Sequence, residues 1–296
     1  MLEFAAVWLF VGALRILPRK MARGVGAGVG SAAYRLLTRL REVGARNLRL
    51  AFPDKSDEER ERILRAAYRN LGNLLAEFCQ MPEYTAESAS GFIRYEGLEN
   101  YLEARERGRG VLVLTGHLGA WELSSFYHSL MGRPMGMVIR RLDNPLVDAF
   151  VNRIRCLHGN RVIHKDEFAR GLIAAMRGGE TVGILMDTNM TPPQGVFVPF
   201  FGEQACTGSG MARVAQKTGA AVVPGFLVWS ELEQKYVLHF GDEVRMVDTG
   251  DAGADGIANT ALFTAVLERY IRQYPEQWLW MHRRWKTRPP GEAGIY

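Results

Sequence analysis

Cysteine is scarce in this chain: Cys79, Cys156 and Cys206 are the only three, and no two lie close together. An odd count without short spacing supplies neither a disulfide framework nor a zinc knuckle, and it suits a reducing compartment. Long apolar runs are also missing. The run from Phe4 to Leu14 reaches Leu17 only across Arg15, short of the roughly 20 apolar residues a spanning helix needs. No H-E-x-x-H occurs, and no other histidine lies at metal-ligand spacing from His117. The serine nucleophile elbow fails too, because Thr207-Gly-Ser-Gly210 carries threonine where the first glycine belongs. Helix-turn-helix, zinc-finger and aromatic RNA-binding signatures are absent, which argues against nucleic acid as a partner. There is no internal repeat and no low-complexity linker.

Positive charge is what the chain has in excess, and it is unevenly placed. The formal net charge is +5, yet between Arg15 and Arg49 nine basic residues face one acid, Glu42. A second cluster, Trp278-Leu-Trp-Met-His-Arg-Arg-Trp-Lys-Thr-Arg288, mixes arginine with tryptophan. Tryptophan prefers the headgroup level of a bilayer, and each Lys or Arg near anionic lipid contributes about 1 kcal/mol. At the N-terminus the positive charges follow the apolar run and Glu3 precedes it, the reverse of a secretory leader. Residues 1–50 therefore read as a helical region associated with an anionic membrane surface, residues 2–17 lying on the membrane or marginally spanning it, basic flank on the cytoplasmic side, against the alternative of an ordinary core helix. Gly24, Gly26, Gly28 and Gly30 fail the G-x-G-x-x-G template and follow no strand; small residues four apart suit close helix packing at a membrane.

Residues 51–296 read as one α/β domain. Ser56-Asp-Glu-Glu59 is a capping box opening a helix to about Phe78. From Ile93 onward short apolar strands (Val111–Thr115, Met135–Ile139, Arg161–His164, Thr181–Met186) alternate with amphipathic helices, the pattern of βαβ units and a single, mostly parallel sheet flanked by helices. Gly195–Phe201, a helix from about Gly208 to Thr218, strands Ala221–Ser230 and Lys235–Phe240, and a last helix near Gly256–Tyr274 complete the chain.

In such a sheet the ligand crevice lies outside the carboxyl ends of the strands, and Thr115-Gly-His117 leaves one of those ends. Glu122 follows His117 by five positions. Five helical residues turn through about 500°, so the two side chains meet only if the chain turns at Gly116 to Gly119 and the helix begins near Ala120. Glu122 then accepts from one ring nitrogen and the other faces the crevice as a base. With no protein nucleophile in sight, that base suits a hydroxyl on a substrate; a capped structural histidine is the competing reading.

His117-Leu-Gly-Ala-Trp-Glu122 matches the H-x4-D/E motif, and the chain resembles the bacterial lipid A biosynthesis (late, or secondary) acyltransferase family within the glycerolipid acyltransferases. Further blocks are similar: Val138-Ile-Arg-Arg-Leu-Asp-Asn-Pro145, Gly195-Val-Phe-Val-Pro-Phe-Phe-Gly202 with Thr207, Thr218–Pro224, Pro275–Arg288 and Ala45–Pro53. The resemblance spans nearly the whole chain. It implies a glycerolipid-acyltransferase-like fold and transfer of a fatty acyl group from an acyl carrier protein (or acyl-CoA) thioester to a lipid A precursor hydroxyl, at the cytoplasmic face of the inner membrane. His117 would be the general base and Glu122 its orienting and charge-balancing partner. No metal or other cofactor is called for. Oxyanion donors would come from amides of the Gly116–Gly119 turn, Gly119 among them, or from an arginine. Arg140, in the family's arginine block, suits phosphate or oxyanion contact; Arg155 is a weaker candidate, since a lone arginine on an amphipathic helix is usually an exposed-face residue. Phe200 and Gly202, within the aromatic strand, fit either a substrate wall or plain core. The chain departs from the resemblance at Asp187-Thr-Asn189, where many relatives carry Asp-Gln. Asp187 is expected as a second polar wall, and the departure leaves open another glycolipid (phosphatidylinositol-mannoside-like) or a glycerophosphate as acceptor. A hydrolase, and a non-catalytic membrane-binding protein on the same scaffold, are the competing classes.

Overall fold

Three helices, α1 (Leu2–Arg15), α2 (Arg19–Leu36) and α3 (Thr38–Ala51), lead into the long α4 (Asp57–Gln80) in the computed structural model, which describes residues 1–296 apart from the side chains of Leu2 and Asp166. Helix α4 opens with the expected capping box: Ser56 Oγ accepts from the Glu59 amide, and the Glu59 carboxylate accepts from the Ser56 amide.

The glycines of α2 divide by face. A Cβ on Gly26 would lie 2.2 Å from the Gly72 carbonyl oxygen, and one on Gly30 would lie 2.1 Å from that of Tyr68. Gly24 and Gly28 look onto open space. Close helix packing is therefore present, but α4 is the partner and Gly26, Gly30 and Gly72 make the seam. Arginines reinforce it. Arg19 and Arg23 turn inward onto the fully buried Glu77, with donor–acceptor distances of 2.6 Å from each. Tyr84 donates to the same carboxylate at 2.6 Å. Two of the expected headgroup cations thus serve the interior, because an unpaired buried carboxylate would be costly.

The outer face of this region stays apolar. Trp8 is 56% exposed and Leu36 is 77% exposed, with Leu9, Met21, Val25 and Leu40 also open. No described helix is long and apolar enough to cross a membrane.

After α5 (Ala86–Ser90), the chain builds β1 (Ile93–Glu96), α6 (Leu98–Glu106), β2 (Val111–Thr115), α7 (Trp121–Leu130), β3 (Gly136–Ile139), α8 (Pro145–Arg155), β4 (Arg161–His164), α9 (Phe168–Arg177) and β5 (Thr181–Leu185). The hairpin β6 (Gly195–Phe200) and β7 (Glu203–Gly208) follows, then α10 (Gly210–Thr218), β8 (Ala221–Ser230), β9 (Lys235–Phe240) and α11 (Ala252–Gln273). The main sheet has seven strands in the order β1-β9-β8-β2-β5-β3-β4 and is parallel except where β9 meets β8. The α/β expectation holds, with two strands added, β1 and β7; the expected strand Gly195–Phe201 is β6, which pairs with β7 in a separate hairpin.

Strand β2, central and apolar on both faces, packs Val111 and Val113 under α6 and α7 and Leu112 and Leu114 under α9 and α10. Its register against β5 pairs Thr115 with Leu185. The two strands therefore end side by side, and the residues just beyond them, Gly116-His117 and Met186-Asp187, emerge as neighbours.

Gly26→Ala should force the α2–α4 seam apart and cost about 1–3 kcal/mol, as overpacking does. Gly24→Ala, facing open space, should gain up to about 1 kcal/mol in helix propensity. Thermal unfolding of both variants checks this; equal effects would contradict the seam.

Candidate active site

Gly116 and Gly119 shape the turn that carries His117 off the end of β2. Gly119 has φ +65°, and a Cβ there would lie 2.0 Å from the Leu227 carbonyl oxygen. A Cβ on Gly116 would lie 3.1 Å from Asp187 Oδ2. The turn therefore presses close to both β8 and Asp187, and α7 begins at Trp121 as the five-residue spacing requires.

The ring of His117 has a different partner from the one expected. Its Nδ1 lies 2.8 Å from Asp187 Oδ1, and its backbone amide donates to Asp187 Oδ2 at 2.7 Å. Trp278 Nε1 donates to the same Oδ2 at 2.8 Å. Asp187, only 2% exposed, thus holds the ring and amide of His117 from within rather than forming an outer wall of the cavity. Burial alone would raise its pKa, but His117 and the two other donors overcome that and bring it down to about 2. Burial likewise works against the charged imidazole; the Asp187 carboxylate, assisted by Glu122, reverses the sign and raises His117. Lys165 acts in the opposite direction. When the ring is neutral, an ionised Asp187 keeps the proton on Nδ1 and leaves a lone pair on Nε2.

Glu122 is engaged elsewhere. It sits in the first turn of α7 and is gripped by the guanidinium of Arg155, with Nε donating at 2.9 Å and Nη2 closer still to the other oxygen. The spacing argument brought Glu122 toward His117, but helix α8 supplies Arg155, a stronger partner than a neutral ring. Arg155 is therefore half-buried in the site rather than solvated on an outer face.

His117, Glu122 and Arg155 all line one cavity of about 640 Å³ at the carboxyl ends of β2, β5 and β3. That volume suits a sizeable ligand. Trp121, Met135, Met137, Phe168 and Ile173 make much of its wall apolar, and Arg140 and Lys165 stand among its charged lining residues. Arg140 is largely exposed and, among the described residues, bonds only Asp143, at 3.2 Å.

Other expectations fail. The amide of Gly119 donates to Gln277 O at 2.9 Å and that of Ala120 to Leu227 O at 2.8 Å, and the His117 amide is held by Asp187. These three amides are spent, so Gly119 serves geometry, and side-chain donors such as Arg155, Arg140 and Lys165 are what faces the cavity. Phe200 and Gly202 do not line the cavity. Phe200 is fully buried against Trp285, ring centroids 5.5 Å apart, and Gly202 turns the exposed hairpin tip at φ +82°.

The tryptophans and one arginine of the terminal block are internal as well, while Arg283 and Lys286 stay exposed. Trp278, Trp280, Trp285 and Arg284 are all buried, with Arg284 donating to Cys206 O at 3.0 Å and to Thr207. This segment forms a strap across the turn, Leu279 N donating to His117 O at 3.1 Å. Asn189, part of the departure from the family pattern, joins the strap: its amide donates to His282 Nε2 at 2.9 Å and its side chain pairs with Thr287. Sequence reading ranked Arg155 low and missed the contact of Trp278 with Asp187. A sequence motif marks neither pairing, since each joins segments that only the fold brings together.

The profile of a family described as bacterial lipid A biosynthesis acyltransferase matches residues 1–287. The chain is 30% identical over 291 residues to the lipid A biosynthesis palmitoleoyltransferase of Escherichia coli (strain K12), spanning 98% of this chain and 92% of that one. It is 30% identical over 295 residues to the lipid A biosynthesis lauroyltransferase of the same organism, spanning 98% and 94%. A lipid A biosynthesis acyltransferase of Haemophilus influenzae is 30% identical over 293 residues, spanning 95% and 90%.

The His117–Asp187 pair should make stability depend on pH in a defined window. Asp187 binds its proton less tightly when folded, so its contribution is complete above its ordinary 3.8 and is lost as pH falls through about 2. His117 binds its proton more tightly, so its contribution is complete below 6.5 and is lost as pH rises through its folded value. Chemical unfolding should show Asp187→Asn losing about 2 kcal/mol or more between those ordinary values, with the deficit shrinking on both sides. A deficit constant with pH would refute the ion pair.

Proposed function

This chain belongs to the bacterial lipid A biosynthesis acyltransferase family and is an acyltransferase; on that premise we propose that it moves a fatty acyl group from an acyl-carrier-protein thioester, or a CoA thioester, to a hydroxyl of a lipid A precursor. The observation that carries the reading is the Asp187-held imidazole of His117, set at the edge of a largely apolar cavity with Nε2 free of protein partners among the described residues. Nε2 takes the proton of the acceptor hydroxyl as that oxygen attacks the thioester carbonyl. The negative charge that develops on the carbonyl oxygen meets the guanidinium of Arg155, oriented by Glu122. Collapse expels the thiolate, which recovers the proton from His117, and the ester product leaves the histidine neutral again. Asp187 stabilises the imidazolium between those two steps without taking its proton. Because the neutral ring is the active form and its pKa is raised, transfer should climb as pH rises through that value. The exposed, cavity-lining Arg140 suits a phosphate of the acceptor headgroup.

The open apolar faces of α1 to α3 suit the cytoplasmic surface of the inner membrane, with Trp8 and Leu9 dipping into the headgroup region and Lys20, Arg35 and Arg39 meeting anionic lipid. Trp8→Glu with Leu9→Glu should sharply reduce co-flotation with anionic vesicles; undiminished flotation would reject this docking face.

Purified protein supplied with labelled acyl-carrier-protein thioester and a panel of acceptors should acylate a lipid A precursor in preference to a phosphatidylinositol mannoside or a glycerophosphate. His117→Ala should lower transfer on the order of 10³-fold or more. Preference for another acceptor would sink the lipid A assignment, and full activity of His117→Ala would sink the assignment of the base.

A further inference from the structure

We infer that Trp278 is a positioning residue for acyl transfer: its indole N–H fixes the Asp187 carboxylate so that His117 presents an unprotonated Nε2 to the acceptor. The inference rests on the reading of His117 as the base.

The argument begins with the donors. Asp187 Oδ2 receives two N–H groups, from the His117 amide at 2.7 Å and from Trp278 Nε1 at 2.8 Å. An amide N–H and an indole N–H donate only, so neither can accept a proton from that oxygen. Oδ2 is therefore held as an acceptor, the carboxylate is favoured in its ionised form, and Oδ1 is left to take the remaining donor, Nδ1–H of His117, at 2.8 Å. The opposite tautomer, with the proton on Nε2, would set the Nδ1 lone pair against Oδ1. The terminal torsion of an aspartate is soft, and a single bond to the ring would let the carboxylate plane swing. A second oxygen pinned by donors from two different segments removes that freedom.

The indole is itself held. The backbone on either side of Trp278 bonds the His117 turn: Gly119 N donates to Gln277 O at 2.9 Å, and Leu279 N donates to His117 O at 3.1 Å. Gln277 clamps the strap to β8 through both the amide and the carbonyl of Trp229, at 2.8 and 2.9 Å. Trp280 meets the indole edge-on, 4.6 Å between centroids, and Phe200 covers it from 5.7 Å. The imidazole and the indole are thus mounted on two paired stretches of backbone, and one carboxylate spans them. A neutral donor also suits the position. A lysine or arginine there would draw the Asp187 charge away from the imidazolium, whereas an indole orients the carboxylate and leaves its charge for His117. Among the described residues, the other titratable groups facing this pair are Glu122 and Lys165 on the side of His117, and His282 and Arg284 on the side of Asp187.

The experiment replaces Trp278 in the full-length protein with β-(3-benzothienyl)alanine, which keeps the bicyclic shape and lacks the N–H, alongside Trp278→Phe. Transfer from a labelled acyl-carrier-protein thioester to a lipid A precursor is followed against pH. The isostere should lower kcat about tenfold, the scale of one charge-assisted hydrogen bond, and leave both KM values within about twofold. The acidic limb of kcat/KM should move to higher pH, because a carboxylate with one donor fewer binds the imidazolium more strongly. On an Asp187→Asn background the isostere should add no further loss. Unchanged kcat and an unchanged pH profile in the isostere, with Asp187→Asn strongly impaired, would overturn the role of Trp278 and leave His117 as the base. Full activity of Asp187→Asn would overturn the base reading itself. Should Trp278→Phe fail to fold, the isostere alone decides between packing and positioning.

Discussion

Asp187 accepts three hydrogen bonds in a place almost closed to water, and the groups around it owe their positions to that fact. A buried carboxylate is tolerable only when its oxygens are satisfied. Here one donor comes from the end of β2, one from the imidazole that follows it, and one from the strap at Trp278. The same contacts that make the charge affordable therefore define where the histidine points. The glycine at 116 follows from this constraint, since a side chain there would crowd the carboxylate. The parallel register of β2 and β5 follows too, because it delivers Asp187 beside His117 without any contact local in sequence.

Much of this was legible in the residues, where the signal was local. The capping box at Ser56, the strands Val111–Thr115 and Lys235–Phe240, the strand-end histidine and the turn before Trp121 each rest on a few adjacent positions, and all are present. What stayed hidden was adjacency. The strands of β2 and β5 could be read, but nothing in either says that they are neighbours, so Asp187 looked like a wall and Glu122 like the partner. Arg155 has the same explanation: an arginine on an amphipathic helix carries no mark of the carboxylate it will meet on α7. The Trp278–Arg288 block failed for a different reason. Tryptophan beside arginine describes a headgroup surface and a packed interior equally well. Arg284 lies over the Phe200 ring at 5.0 Å and bonds backbone oxygen, so the cation is buried in place rather than presented to lipid.

The N-terminal helices divide their residues between two tasks. Gly26 and Gly30 bring α2 within backbone contact of α4, and Arg19 and Arg23 grip Glu77 of that same helix. Arg23 also touches the Tyr236 hydroxyl at 2.6 Å, which links α2 to the main sheet through β9. The outward positions are left apolar with scattered cations. A region that first reads as an appendage is thereby bolted to the domain that holds the cavity. Glu3 accepts from Asn144 at 2.8 Å and Phe4 meets Phe150 edge-on at 6.1 Å, so α1 reaches the helix that presents Arg155.

The strap has a temporal consequence. Chains are made and fold from the N-terminal side, and the residues that close over the His117 turn emerge after every strand they touch. Until Trp278 arrives, Asp187 lacks a donor and the turn lacks its pairing partner. A chain made only to that point has the strands of the sheet but neither the Leu118–Trp278 bridge nor the indole donor to Asp187, so the clamp on the His117 turn depends on a contact about 160 residues away in sequence.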